Sequence, residues 1–226
     1  NLDLMLGVKA PRNVAQLLSN ELRVEDVLVK GPKGIGLLPA CSGEYDMTEL
    51  EQTTRMTLFN AIDSLEDQYD TVIIDTGAGI GSNSTSFAAA AQQTLVVMTP
   101  DPASLMDSYA MIKVLSTRCG VNQVYLVVNM ARSPREAEMV VNRLLGLVHQ
   151  FLDVSVIPVG YLYRDDSVIR SVQGCRPLVT TYPQSPAAVA IQGLCSRLLL
   201  EEPSESSWGG PRVAWTRIMG ISETES

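Results

Sequence analysis

The sequence predicts an α/β protein: a doubly wound, mostly parallel sheet with helices on both faces. Three observations carry that expectation. Short β-branched runs alternate with long amphipathic stretches along the chain. The runs at 72–74 (VII) and 126–128 (LVV) are apolar at consecutive positions, as strands buried on both faces of a parallel sheet must be. Of 226 residues, 46% are hydrophobic, 19% charged and 5% aromatic, which excludes disordered, collagen-like and coiled-coil chains.

The elements follow in order. The clearest strands are 71–75 (TVIID), 94–99 (TLVVMT) and 123–129 (QVYLVVN), with weaker ones at 34–39 and 156–162. Between 48 and 66, Leu50, Leu58, Ile62 and Leu65 recur near the 3.6-residue period of a helix. From 133 to 151, Ala137, Val140, Val141, Leu144, Val148 and Phe151 do the same. Ser133 can cap that helix, Pro134 suits its first position, and Glu136 stands where a capping box places its acid. Ser185 and Pro186 open another helix, which carries Ala187, Ile191, Leu194 and Leu198 inward. A helix at 104–119 completes the set. Successive strand, helix and strand imply right-handed crossovers, with ligand sites at the carboxyl ends of the strands, just after Ile74, Met98 and Val128. At about 150 residues per domain, one domain at 1–200 accounts for these elements. The Gly-, Pro- and Ser-rich stretch 201–211 is a linker, and 212–226 is a tail.

Composition removes several functions. Seventeen basic residues stand against 25 acidic ones, a net charge of −8, and the basic residues are scattered. Sequence-independent nucleic-acid binding is therefore disfavoured. Cys41, Cys119, Cys175 and Cys195 form no close pair of the kind metal sites use, and are expected to be reduced, buried thiols of a cytoplasmic protein. No apolar run approaches the roughly 18 residues that a membrane span needs. The only histidine, His149, falls within an amphipathic helix, and no serine stands in a nucleophile-elbow sequence, so nucleophilic catalysis lacks support.

The strongest chemical candidate is TVIIDTGAGIGSNS. An apolar strand ending in Asp75, then a turn with Gly77 and Gly79, is what a magnesium-nucleotide site of Walker B type requires. Asp75 capping its own turn explains the local pattern equally well. Gly77, Gly79 and Gly81, with Asp101 after the next strand, also suggest a dinucleotide fingerprint and a nicotinamide-dependent oxidoreductase. There, however, the third glycine comes one position early, and an acid stands where a pyrophosphate would sit. Asn129 closes its strand where a carboxamide can read a purine edge or satisfy its own turn. Asp165 and Asp166 form a carboxylate pair just past another strand, an arrangement more often solvated than catalytic. In the tail, Trp215, Ile218 and Met219 share a helical face, with Arg212 and Arg217 available to lipid headgroups, which suits an interfacial membrane segment, and equally a helix docked back on the domain or a disordered end.

In this order the segments resemble the MinD/ParA family of deviant P-loop ATPases, and more closely its flagellar FlhG/FleN branch. The opening NLDLMLGVKAPRNVAQLL resembles the region after the family's first aspartates, and VEDVLVKGPKGIGLLPACSG resembles the branch's next strand and its flanks. YDTVIIDTGAGI is similar to the Walker B segment, which implies that Asp75 holds magnesium through water. VVMTPDPASLMDSYAMIKVL resembles the following strand and helix. VYLVVNMARS puts Asn129 at the adenine-reading asparagine. GYLYRDDSVIRSVQGCRPLV resembles the segment closing over the base, with Asp165 at its acid and Tyr163 in place of its usual proline. YPQSPAAVAIQGL is similar to the branch's final helix. The likeness covers about 1–200.

The resemblance implies an ATP- and magnesium-dependent switch that forms a homodimer when ATP is bound and regulates flagellar number or placement. Implied partners are the flagellar GTPase FlhF, flagellar switch-complex proteins or a flagellar transcriptional activator. The implied location is cytoplasmic, with peripheral contact at the inner face of the cell membrane. The family's two-lysine phosphate loop has no counterpart, since no Gly-Lys-Thr or Gly-Lys-Ser occurs in the chain. The expectation is an amino-terminally truncated ATPase domain that does not hold ATP alone. The alternative is a non-catalytic interaction module.

Overall fold

A computed structural model of the protein describes residues 2–40 and 52–200. In chain order these form α1 (Leu2–Leu6), α2 (Val14–Leu18), α3 (Val24–Val27), β1 (Val29–Lys30), β2 (Gly36–Leu37), α4 (Gln52–Asp63), α5 (Ser82–Ala90), β3 (Leu95–Met98), α6 (Pro102–Cys119), β4 (Gln123–Ala131), α7 (Pro134–Phe151), β5 (Ser155–Tyr163), α8 (Asp166–Gln173), α9 (Leu178–Thr181) and α10 (Pro186–Leu200).

Among the described residues the main sheet has three strands in the order β3-β4-β5, all parallel. Leu95 stands opposite Tyr125, and Gln123 opposite Ser155. The central strand β4 is buried on both faces from Val124 to Val128, which explains its unbroken apolar run. On one face Val124, Leu126 and Val128 meet Ile112 and Leu115 of α6 and Ala137, Val140, Leu144 and Val148 of α7. On the other, Tyr125 and Val127 join Val159, Leu194 and Leu198, so α10 covers that side. Each of these fully buried aliphatic side chains contributes roughly 1.5–3 kcal/mol of burial. Helices on both faces make the winding double, as the sequence predicts.

Capping fixes where the crossover helices start. The Asp101 carboxylate accepts the Ser104 N–H and Pro102 follows, so α6 begins two residues before the predicted start. Ser133 Oγ accepts the Glu136 N–H at 3.2 Å. Glu136 reaches back to the Arg132 N–H at 2.6 Å, one residue before the cap that the sequence suggests as its partner.

A second apolar cluster joins Val14 and Leu17 of α2, Val24 and Val27 of α3, Leu58 of α4, and Leu65. Phe59 of α4 and Phe87 of α5 meet edge to face, with ring centroids 5.3 Å apart. Nearby, β1 and β2 form a short antiparallel pair. Only Gly36 and Leu37 of the predicted 34–39 strand are in that pairing.

The main departure is 71–75. The sequence predicts one of its three clearest strands there, yet among the described residues the segment joins no ladder. Val72 is 53% exposed and Ile73 89% exposed, and only Ile74 packs, against the Phe59, Ala90 and Phe87 cluster. A strand is defined by its hydrogen-bonded neighbour, and β3, the nearest sheet edge in sequence, pairs only with β4 among the described residues. The cysteines also depart from expectation. They are free, but Cys175 and Cys195 are exposed and Cys119 half-buried; Cys41 lies outside the described residues.

Candidate functional site

The carboxyl ends of β3, β4 and β5 and the glycine-rich turn after Asp75 hold most of the predicted site residues. Asp75 is exposed at the end of its unpaired segment. The turn beyond it is pinned at both ends: Ser84 Oγ donates to the Gly77 carbonyl at 3.1 Å, and Thr85 Oγ1 donates to the Gly81 carbonyl at 3.0 Å. Gly79 has φ +96°, a conformation open to glycine and strained for other residues. Gly81 then opens α5 without a side-chain cap.

Asn129 is half-buried near the end of β4, where the pairing with β5 slips between Val128 and Ala131. Its Oδ1 accepts the N–H of Met130 at 2.9 Å, and Met130 takes φ +59°. The carboxamide nitrogen has no hydrogen-bond partner among the described residues. The oxygen therefore satisfies the local bulge, which is the turn-satisfying role the sequence allows for Asn129.

On β5, Tyr161 and Tyr163 meet edge to face at 5.3 Å. Tyr161 shares a hydrogen bond with Tyr163 and raises the Tyr163 phenol above its ordinary pKa. Asp165 follows and caps two helices at once. Oδ1 accepts the Ser167 N–H of α8 at 2.8 Å, and Oδ2 accepts the Ala187 N–H of α10 at 3.0 Å. Those backbone donors, Ala187 first and Ser167 second, hold its carboxyl below the usual carboxylate range. Sequence reasoning missed this double role, because its second partner, Ala187, stands 22 positions later. Its signal was the Ser185-Pro186 helix start, which left the Ala187 N–H in need of an acceptor.

Asp101, the acid of the dinucleotide alternative, is likewise committed. It accepts from the Thr99 hydroxyl and the Ser104 N–H, which hold its carboxyl below its ordinary pKa. No cluster of three or more His, Cys, Asp or Glu side chains able to hold a metal occurs among the described residues. A lone exposed carboxylate at Asp75 matches magnesium chemistry, since that ion keeps most of its waters and takes few protein ligands beside phosphates. His149 is exposed. An open depression of about 540 Å³ lies on the outer face of α7, lined by Arg135, Glu138, Met139, Asn142 and Arg143. No described helix is long and apolar enough to cross a membrane. Trp215, Ile218 and Met219 lie outside the described residues.

A parallel α/β sheet with helices on both faces is the fold of the MinD/ParA ATPases. The solved septum site-determining protein MinD of Pyrococcus horikoshii, complexed with Mg-ADP, superposes with a TM-score of 0.66 at 20% identity, over 88% of this chain and 78% of that one. No protein-family model matches. In sequence, the chain is 34% identical over 198 residues to the antiactivator FleN of Pseudomonas aeruginosa, covering 88% of this chain and 71% of FleN. It is 31% identical over 144 residues to the flagellum site-determining protein YlxH of Helicobacter pylori, covering 64% of this chain and 48% of YlxH. The chain belongs to the MinD/ParA family of ATPases, in its flagellar FleN/FlhG branch.

Proposed function

We propose that this protein is an ATP-driven switch that sets flagellar number or placement. The observation that carries the reading is the 34% identity to FleN over 88% of the chain. Asp75 orients magnesium through water, and Gly77 and Gly79 let backbone approach the phosphates. Asn129 reads the adenine with its free amide, and Asp165 holds the closing segment by joining α8 to α10. ATP binding and hydrolysis then alternate the protein between a homodimer and a monomer. The tail residues Trp215, Ile218 and Met219 touch lipid in one of those states. The flagellar GTPase FlhF, the flagellar switch complex or a flagellar transcriptional activator reads the state.

The chain has no Gly-Lys-Thr or Gly-Lys-Ser. These 226 residues alone are therefore expected not to retain ATP, and joining a phosphate loop ahead of Asn1 to restore magnesium-dependent binding. The test has two readouts. In the source cell, Asp75→Ala at the native locus changes flagellar number or placement. In solution, the chain joined to a phosphate loop binds ATP with magnesium and not NAD. Unchanged flagellation together with Asp75→Ala binding ATP like its parent would sink the reading, and NAD binding would favour the oxidoreductase.

A further inference from the structure

The hairpin of β1 and β2 ends in a tight turn that the fold does not use for packing. The Ile35 N–H meets the Pro32 carbonyl at 3.2 Å, and the Gly31 N–H meets the Ile35 carbonyl at 2.7 Å. Between them Lys33 (φ +55°, ψ +30°) and Gly34 (φ +82°) are both left-handed, as the two central residues of a type I′ turn are. Asparagine or glycine takes the first of those positions readily, whereas lysine takes it against its own backbone preference. A lysine held there points to a use for its side chain. Ile35 is 50% exposed, Lys30 and Lys33 are exposed, and a Cβ at Gly34 would meet nothing within 4 Å, so the tip stands in solvent. Its base is fixed, because the Tyr69 hydroxyl lies against Gly36 and leaves no room for a Cβ.

Lysine is scarce in this acidic chain: Lys9, Lys30, Lys33 and Lys113 are all of it, against a net charge of −8. Two of the four sit on this apolar tip, and neither has a hydrogen bond or an ion pair among the described residues. Of the exposed acids on the preceding α3, Asp26 is engaged by Arg23 at 3.6 Å, and its carbonyl takes the Arg12 guanidinium at 2.9 Å. Glu25 remains.

The hairpin lies toward the end of the molecule from which the chain leaves α10. Tyr69 shares the helical cluster with Phe87, near the end of α5, after which the chain turns into β3. Just before that strand Gln93 donates to the Leu198 carbonyl at 3.4 Å, so α10 ends there too, with Leu199 and Leu200 exposed. We propose that the tip 31–35, with Lys30, is a contact site for an anionic phospholipid surface. Lys30 and Lys33 meet headgroup phosphates, and Ile35 enters the interface between them. Bases beside an exposed aliphatic side chain match both layers of such a surface, the phosphates and the acyl boundary below them. The proposal rests on the reading that the tail touches lipid: a short segment alone anchors weakly, and stable attachment takes two signals.

The test is flotation of the 226-residue chain with vesicles of phosphatidylglycerol and phosphatidylcholine in equal parts, against phosphatidylcholine alone, over a series of salt concentrations. The parent should float with the anionic vesicles only, and less as salt rises. Lys30→Gln with Lys33→Asn should weaken partition at least about tenfold and flatten its salt dependence, since each base near such a surface contributes separately. Ile35→Ser should weaken it at every salt concentration and leave the slope unchanged. Asparagine suits the left-handed position, so Lys33→Asn should melt no lower than the parent, and weaker flotation then reports lost charge, not lost fold. Trp215→Ser with Ile218→Ser tests the tail separately. Flotation lost in the tail variant and unchanged in the hairpin variants overturns the proposal and keeps the tail reading; the reverse upholds the hairpin and counts against the tail. A parent that floats with neither vesicle overturns both contacts and leaves the ATP switch to its own test. Release by inorganic phosphate at an ionic strength where chloride has no effect would show a discrete phosphate site in place of a lipid surface, and the proposal would fall.

Discussion

Asp165 joins two helices through one carboxylate, and at the residue scale that makes it the site position with the clearest stability signature. Removing a helix cap costs about 1 kcal/mol, so Asp165→Ala, which removes two, should lower stability by about 1–2 kcal/mol at pH 7, read by urea unfolding. The sign with pH follows from its lowered carboxyl. Its contribution is complete above the unfolded carboxylate value of about 3.9 and is lost as pH falls through the still lower folded value. The parent should therefore lose its advantage over Asp165→Ala on acidification from pH 7 toward about 2.5. A difference that stays constant over that range would show that the two N–H bonds do not favour the charged form. Gly79 makes a second residue-scale case. Its φ of +96° predicts that Gly79→Ala strains the turn by about 1–3 kcal/mol even though a Cβ there meets no neighbour. A melting temperature unchanged in that variant would mean that the turn relaxes to another conformation.

At the scale of elements, periodicity was a good guide wherever a partner lay within the described chain. The runs of β4 and β5, the α7 face and the starts of α7 and α10 stand where apolar spacing and capping residues put them, because those signals act locally or on immediate neighbours, while α6 starts two residues earlier than its apolar spacing suggested. The segment 71–75 shows the limit. Val72, Ile73 and Ile74 read as a buried strand, but composition records only the preference for a neighbour, and no ladder forms there among the described residues. The same limit applied to the site. Asp75 and Asn129 could be proposed from strand ends, whereas the Asp165 link to Ala187 depended on tertiary placement. The Cys175 exposure likewise follows from its place in the left-handed turn ending α8, which hydropathy does not encode. Hydrogen exchange gives the element-level prediction. The Val72 and Ile73 amides should exchange within seconds to minutes at neutral pH, while Val124 to Val128 amides should be slower by several orders of magnitude. Comparable protection in both segments would mean that 71–75 is paired in solution.

The whole molecule has its described core in separate pieces rather than one. The sheet cluster around Leu126, Ile112 and Leu144 shares no member with the helical cluster around Val14, Val27 and Leu58. Between them stand few apolar bridges, foremost the Phe59 and Phe87 contact, with α5 packing toward α6 on the sheet side. Cooperativity across the molecule must pass through such bridges, because apolar contacts transmit unfolding only where they touch. Leu144 and Leu58 are both buried, so truncating either to Ala should cost about 2–5 kcal/mol in its own cluster. The consequences for the rest of the chain should differ. Leu58→Ala should lower the denaturant midpoint of amide protection in α2, α3 and α4 and leave β4 and α7 close to the parent. Leu144→Ala should lower both, since the helical cluster has little independent stability at its size. Phe59→Ala should uncouple the two clusters further, visible as non-coincident curves by tryptophan-independent probes such as far-UV circular dichroism and residue-resolved exchange. If Leu58→Ala and Leu144→Ala shift every protected amide equally, and Phe59→Ala keeps the curves superimposed, the two clusters unfold as a single unit and the bridge is not where their coupling lies.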